Sequence, residues 1–376
     1  MKEPECDKKY TIFLKEIADQ FNHEGKVVNI SALSGGFINT TYLVETDCKS
    51  PDYILQKKNK EIFKDVPAMM DNIMKVTEFL RNKIEKSGGD SQREVMKIIF
   101  TAKNTPYFVD CNGEFWTMSI YIPDTVSFES ASHPELSRKG GEGIGKFLLL
   151  LHDFDQDLYP TIKGFHDLGH RFSQWDETLK RDAAKRVKDL TEEINWIEAR
   201  RERKREFWQL VETGVIPKRV THNDTKLSNI LFNKNEEVQC VIDLDTVMSN
   251  TALADFGDAI RSFANTSKED EKDLSLVGLD KKMFTAYTEG YLSQVADILT
   301  DKEIEYLPFA PLYITYEQVM RFLMDYIDGD IYYKTSYPGH NLVRTHSQMK
   351  LLESLEMNYD FMKDTVENII NRYKIK

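Results

Sequence analysis

Two short segments constrain this chain more than any others: Val220-Thr221-His222-Asn223-Asp224-Thr225-Lys226-Leu227-Ser228-Asn229, and Cys240-Val241-Ile242-Asp243-Leu244-Asp245 shortly after it. Pro217 closes the preceding stretch, and Arg219 to Thr221 then reads as a short extended segment. His222-Asn223-Asp224 turns the chain outward. Ile230-Leu231-Phe232 resumes an apolar strand, Asn233-Lys234-Asn235-Glu236-Glu237 supplies turn residues, and Val238 to Ile242 is a return strand. In the predicted hairpin, Asp224 and Asn229 project from the loop at one end and Asp243 from the end of the return strand. Three such oxygen ligands suit a hard divalent cation that keeps part of its water. An Asp/Asn-rich hairpin with solvated side chains would produce the short match equally well. The Asp closing the second apolar strand is what favours convergence.

An Asp five residues before an Asn, with a later Asp ending a strand, is the layout of phosphoryl transfer. Asp224 would accept the proton of an attacking hydroxyl, while Asn229 and Asp243 would hold Mg2+ on the phosphates of ATP. The reaction needs a positioned hydroxyl and a neutralised triphosphate, and little covalent help. His222 reads as a packed structural residue of the loop.

Other classes are disfavoured by composition. The chain has 376 residues, 41% of them hydrophobic, enough for a sizeable core and two lobes. A net charge of −12 argues against a partner bound mainly through phosphate contacts, so no nucleic acid is expected. Cys6, Cys48, Cys111 and Cys240 are scattered without CxxC pairing, suggesting neither a disulfide framework nor a zinc site. The polar start Met1-Lys2-Glu3-Pro4-Glu5 is unlike a signal peptide, and Phe147 to Leu151 is too short to span a bilayer. The expectation is a cytoplasmic enzyme with no membrane partner, a monomer or weak homodimer.

Along the chain, Tyr10 to Phe21 has helical periodicity, and Val27 to Leu33 reads as a strand. Ser34-Gly35-Gly36-Phe37 reads as a glycine turn into the next strand. Glycines there let backbone N–H groups approach phosphate, although a plain hairpin turn explains them too. Tyr53 to Gln56 is a strand and Ile62 to Lys83 an amphipathic helix whose methionines belong to the core. Strands follow at Val95 to Phe100, Tyr107 to Asp110 and Phe115 to Ile122. After Pro123 long helices dominate: Glu135 to Phe154, a charged helix from Asp176 to Leu210, and helices from Ala254 onward. The run Ala199 to Glu206 mixes acids with bases and reads as a solvated helix face. The fold class is α+β, with a small antiparallel sheet lobe carrying a helix at 1–122 and a larger, mainly helical lobe at 123–376.

These pieces resemble the aminoglycoside phosphotransferase/choline kinase branch of the protein-kinase-like fold, and more closely the bacterial N-acetylhexosamine 1-kinases. The resemblance rests on Gly35 to Tyr42, Tyr53 to Gln56, Phe63-Lys64-Asp65 through Ile73, Asp124 to Phe128, Phe165-His166-Asp167, His222 to Lys226, Ile242 to Met248, and Thr315 to Arg344. It implies transfer of the ATP γ-phosphate to the anomeric hydroxyl of an N-acetylated hexosamine, with ATP and Mg2+ required. It further implies that Asp245 supports a second ion or a metal-bound water. The backbone of Gly35, Gly36 and Phe37 would cover the phosphates, and the hinge at Ile120, Tyr121 and Ile122 would meet adenine. A kinase of another small alcohol (choline, homoserine or an aminoglycoside) and a nucleotide-binding pseudokinase are the alternatives.

One position departs from the usual kinase pattern, which places a Lys at the end of the third strand. Here that position is Gln56. Alternation sends Gln56 and Lys58 to one face and Lys57 to the other, so Lys58 could supply the charge, with Glu78 as its ion partner. Solvated lysines at a strand end are the plainer alternative. For the sugar pocket the candidates are Phe165, His166 and Asp167, with Tyr316, Arg321, Asp325 and Tyr326 on a later helix; His340, Asn341 and Arg344 would join them. Arg321 and Asp325 stand four apart, a spacing that a structural ion pair would also explain.

Overall fold

A computed structural model describes residues 5–33, 38–47 and 49–374. The chain divides into two units: residues 1–125 with 155–162 and 244–247, and residues 126–154, 163–243 and 248–376. Two later segments thus join the first unit, where the sequence reading placed one boundary after residue 122.

The first unit is built on α1 (Glu5–Ala18), β1 (Val27–Leu33), β2 (Thr40–Thr46), β3 (Tyr53–Lys57), α2 (Val66–Lys86), β4 (Ile98–Ile99), β5 (Phe108–Val109) and β6 (Phe115–Ile120). The sheet runs β1-β2-β3-β6-β4 with β5 beside β6, and every pair is antiparallel. Period-two alternation buries Tyr53 and Leu55, with Leu55 opposite Tyr42 on one side and Met118 on the other. The last two expected strands before β6 shrink to two residues each. Thr101 and Thr105 bond to each other through backbone and hydroxyl, turning the chain at Asn104, and Pro106 has no N–H to offer a ladder.

Helix α2 starts later than its periodicity suggests, because Asp65 caps the Ala68 N–H and a proline sits in the first turn. It buries Met69, Met70, Ile73, Val76 and Leu80 as one apolar face. Asn72 interrupts that face and is fully buried. Its amide donates to the Tyr159 and Val247 carbonyls and accepts the Tyr159 N–H, which ties segments 155–162 and 244–247 to α2.

The second unit contains α3 (Pro134–Leu150), α4 (Leu168–Arg181), α5 (Thr191–Glu212), β7 (Arg219–Thr221), β8 (Ile230–Phe232), β9 (Val238–Val241), β10 (Met248–Asn250), α6 (Ala252–Phe263), α7 (Lys281–Val295), α8 (Asp301–Tyr306), α9 (Ala310–Asp328), α10 (His340–Met357) and α11 (Tyr359–Lys374). The β8–β9 hairpin forms as read, and β7 pairs with β10. The single charged helix expected over 176–210 is broken. Asp182 and Lys185 adopt left-handed backbone, and the Asp182 carboxylate accepts the N–H groups of Arg186 and Val187. Polar residues on both sides of the break hide it from any periodicity. Helix α9 is buried nearly all round, and at Gly257 the α6 backbone lies so close to the Ala310 carbonyl that a Cβ would collide. Among the described residues no helix is long and apolar enough to cross a membrane.

The charged run on α5 is mostly paired at the surface, with Arg200 on Glu356 and Arg201 on Asp176. Lys204 is the exception, 1% exposed, its ammonium 4.7 Å from the Phe309 ring centre and 5.7 Å from that of Tyr316. Burial pushes its pKa down to about 7. The unfolded chain keeps this lysine protonated up to about 10.4. Stability should therefore rise with pH between those values, where the unfolded state binds the extra proton. Lys204→Met is expected to raise the urea stability by on the order of 2 kcal/mol at pH 7, the gain shrinking toward pH 10. A variant less stable than the parent at both pH values would show the ammonium to be favourably housed.

Candidate active site

The loop after β7 is held from beneath by α6. Asp255, 1% exposed, accepts the His222 N–H at 2.8 Å and the Asn223 N–H at 2.7 Å. One helical turn on, Asp258 accepts the Thr225 N–H at 3.1 Å, and the Thr225 hydroxyl donates to the Asp255 carbonyl. Burial pushes the Asp255 carboxyl up, an effect that the His222 side chain and these N–H donors reduce. Asn223 is left-handed, φ 64°, which turns the chain so that Asp224 leaves the loop. Asp255 and Asp258 were missed in the sequence. Their signal was two acids three apart inside the mainly apolar helix Ala252–Phe263.

Asp224 Oδ2 accepts the Lys226 ammonium and the Asn229 amide, each at 3.0 Å, and Asn229 Nδ2 also bonds the Asp224 carbonyl at 2.8 Å. Burial would raise the Asp224 pKa. The Lys226 charge, the His222 side chain and these hydrogen bonds outweigh it, so the carboxyl is held below its ordinary value and ionised. The Asn229 amide nitrogen faces Asp224, which leaves Oδ1 as the acceptor. The Ile242 N–H bonds the Asn229 carbonyl at 2.9 Å, and the Ile242 carbonyl accepts from His222 Nε2 at 2.8 Å. These two bonds bring left-handed Asp243 to the same end of the hairpin. The three residues predicted from spacing are therefore gathered together, with Lys226 added. Asn229 Oδ1 and the Asp243 carboxylate form an all-oxygen donor set, which fits Mg2+ with retained water. His222 is structural, as read: its Nδ1 accepts the Asp224 N–H at 3.2 Å, so its proton sits on Nε2.

In the first unit, Lys58 is 3% exposed and pairs with Asp245, at 2.7 Å to Oδ1 and 2.9 Å to Oδ2. Its ammonium also reaches Gln56 Oε1 at 2.7 Å, while Lys57 turns away toward Glu114. Alternation thus places Lys58 as expected, but its partner is Asp245. Glu78 points to solvent. Asn39 also donates to Asp245 Oδ2 at 2.7 Å, so both oxygens of this carboxylate bond nitrogen donors. At the expected hinge, the N–H groups of Ile120 and Tyr121 are already bonded to the Lys97 and Asp52 carbonyls. The Ile122 N–H has no partner among the described residues. Gly35, Gly36 and Phe37 lie outside the described residues.

The acceptor candidates separate into two groups. Phe165, His166 and Arg321 come together, the Arg321 guanidinium 5.3 Å from the Phe165 ring centre. Tyr332 and Tyr333, missed in the sequence, complete the aromatic surround at 5.8 and 5.4 Å. The other three are structural. Asp167 caps α4 through the His170 N–H. Tyr316 is fully buried, with its hydroxyl on the Ile197 carbonyl at 3.1 Å. Asp325 accepts the N–H groups of Ile331, Tyr332 and Tyr333 and the Asn341 amide, so it shapes the turn after α9 and makes no pair with Arg321. Tyr326 stacks under Arg186, His340 bonds Asp270, and Arg344 bonds the Asn341 amide oxygen.

Solved structures share this fold along almost the whole chain. An aminopropanol kinase associated with a microcompartment matches with a TM-score of 0.65 at 14% identity, covering 94% of this chain and 98% of its own. Spectinomycin phosphotransferase, solved with ADP and spectinomycin, matches at 0.56 and 12% identity over 93% and 98%. An ethanolamine kinase of Plasmodium vivax matches at 0.56 and 15% identity over 89% and 83%. The protein-kinase-like two-lobe class expected from the sequence is thus the fold found. The family model described as the phosphotransferase enzyme family matches residues 29–278, from β1 through the loop after β7 and α6, and the chain belongs to that family.

Proposed function

We propose that this phosphotransferase moves the γ-phosphate of ATP to the C1 hydroxyl of an N-acetylated hexosamine, N-acetylglucosamine or N-acetylgalactosamine, giving the sugar 1-phosphate. The observation that carries the reading is the cationic, aromatic cluster around Arg321. Arg321 lies among Phe165, Tyr332 and Tyr333, and the carboxylates around it are already engaged: Glu317 by His166 and Arg171, Asp258 by Arg261, Asp325 by backbone N–H groups. An ammonium-bearing acceptor would meet a guanidinium there. A neutral sugar offers hydroxyl and acetyl oxygens to Arg321, and its acetyl methyl and ring face to the aromatics.

Asp224 orients the C1 hydroxyl and receives its proton as the sugar O–P bond forms and the bond to the ADP leaving group breaks. A carboxylate held ionised by Lys226 is a weak base, which suffices where the transition state is loose and the proton moves late. Asn229 and Asp243 would hold Mg2+, which when bound neutralises charge on the phosphate oxygens. Lys58, aimed by Asp245 and Gln56, is the first unit's candidate cation for nucleotide phosphates. The names of the aminopropanol and ethanolamine kinases support a second reading, an amino-alcohol acceptor.

ADP release with Mg-ATP against N-acetylglucosamine, N-acetylgalactosamine, glucose, galactose, choline, ethanolamine, homoserine and kanamycin separates the two. Turnover confined to the N-acetylated sugars is expected. Turnover of choline or ethanolamine alone would discard the sugar and keep the kinase.

A further inference from the structure

His166 sits where both ring nitrogens face an acceptor. Nδ1 is 2.7 Å from Glu317 Oε2 and Nε2 is 3.0 Å from the Asn223 carbonyl oxygen, and the residue is 4% exposed. The carbonyl has no proton to give. Neither has Glu317: burial opposes its charge, but His166 and Arg171, the latter at 2.9 and 3.1 Å from Oε1, hold it well below the usual carboxylate range. A neutral imidazole carries one N–H and would set one lone pair against another inside the protein. Both contacts are hydrogen bonds only if both nitrogens are protonated. His222, on the other side of the same loop, faces one donor and one acceptor and is satisfied as the neutral tautomer.

The backbone at both ends of the His166–Asn223 bond is left-handed, φ 55° at His166 and 64° at Asn223. Non-glycine residues keep such conformations where their surroundings over-determine them, commonly at functional sites. Here the Tyr313 hydroxyl holds the His166 carbonyl, Asn250 holds that of Phe165 at 3.1 Å, and Asp255 holds the Asn223 N–H. The bond reaches the residue immediately before Asp224.

We infer that His166 is a positioning residue whose buried imidazolium pins the catalytic loop, so that Asp224 is correctly presented only while that ring is charged. The inference rests on Asp224 being the catalytic group, and not on the identity of the acceptor. The charged groups around the ring are Glu317 and Arg321 from α9 and Asp255 and Asp258 from α6, with Arg171 from α4 on the other oxygen of Glu317. Burial alone would lower the ring's pKa, but the Glu317 charge and hydrogen bond more than offset it, and the pKa is raised. The ring therefore keeps its charge to higher pH than a free histidine does. The pin releases as pH rises through the folded value, the direction required for a base whose folded pKa exceeds its unfolded one.

The test is NMR on the whole chain labelled with 15N in its histidines and backbone. At pH 7 both ring nitrogens of His166 should carry protons. On raising the pH, ring and Asp224 backbone amide should shift together, with a midpoint above the ordinary value of about 6.5. An unprotonated His166 nitrogen at pH 7, or an Asp224 amide indifferent to the titration, would overturn the inference. Neither outcome depends on a substrate, so the sugar reading stands or fails separately. His166→Gln, which can satisfy one contact but not both, should lose roughly 10–100-fold in kcat with KM for ATP unchanged, and should lack the alkaline fall of the parent. A variant matching the parent in kcat at every pH would overturn it as well. If the variant does not fold, the NMR result on the parent decides.

Discussion

Asp224→Asn should leave nucleotide binding intact and lower kcat by about 10²–10⁴. The side chain keeps its shape and can still accept from Lys226 and Asn229, so the loop held by Asp255 and Asp258 should keep its course. What disappears is the proton acceptor and the charge that aligns the attacking hydroxyl. Steady-state ADP release, compared with the thermal melt of parent and variant, separates this from misfolding. More than a tenth of the parent kcat in a fully folded variant would remove Asp224 from its role.

Lys58→Met should be the most damaging single change to the first unit. It strands the Asp245 carboxylate, whose side chain is 6% exposed, with the Asn39 amide as its remaining close donor. Removing one partner of a buried ion pair costs about 3–5 kcal/mol. Replacing both partners with apolar side chains of similar volume is often neutral, so Lys58→Met with Asp245→Leu should recover much of the loss. Hydrogen exchange at β3 and β6 amides across a urea series reads this locally. Equal stability of parent and Lys58→Met would show the pair to be solvated in solution. The single variant should also raise KM for ATP if Lys58 meets the phosphates.

The hairpin bearing Asp224, Asn229 and Asp243 was legible because local rules decide it: a strand, polar turn residues and a returning apolar run. The strand alternation that separated Lys57 from Lys58 was legible for the same reason. Partners across the fold were not. Lys58 and Asp245 stand 187 residues apart, and the partner expected on the next helix, Glu78, is in solvent. Helical spacing put Arg321 and Asp325 on one face and made a pair attractive, but three backbone N–H groups after the helix claimed Asp325 first. His166 was read as a sugar contact together with Phe165 and Asp167, and its partner Glu317, 151 residues away, carried no local signal. Asp255 and Asp258 hid in an apolar helix, where only their burial betrays a task.

The most direct measurement is phosphorus NMR of the product made from Mg-ATP and N-acetylglucosamine carrying 13C at C1. Phosphate transfer to the C1 oxygen predicts a new phosphomonoester resonance coupled to the labelled carbon, and no such resonance with Asp224→Asn. A phosphomonoester without that coupling, or no product from the sugar while choline or ethanolamine is phosphorylated, would contradict the assignment.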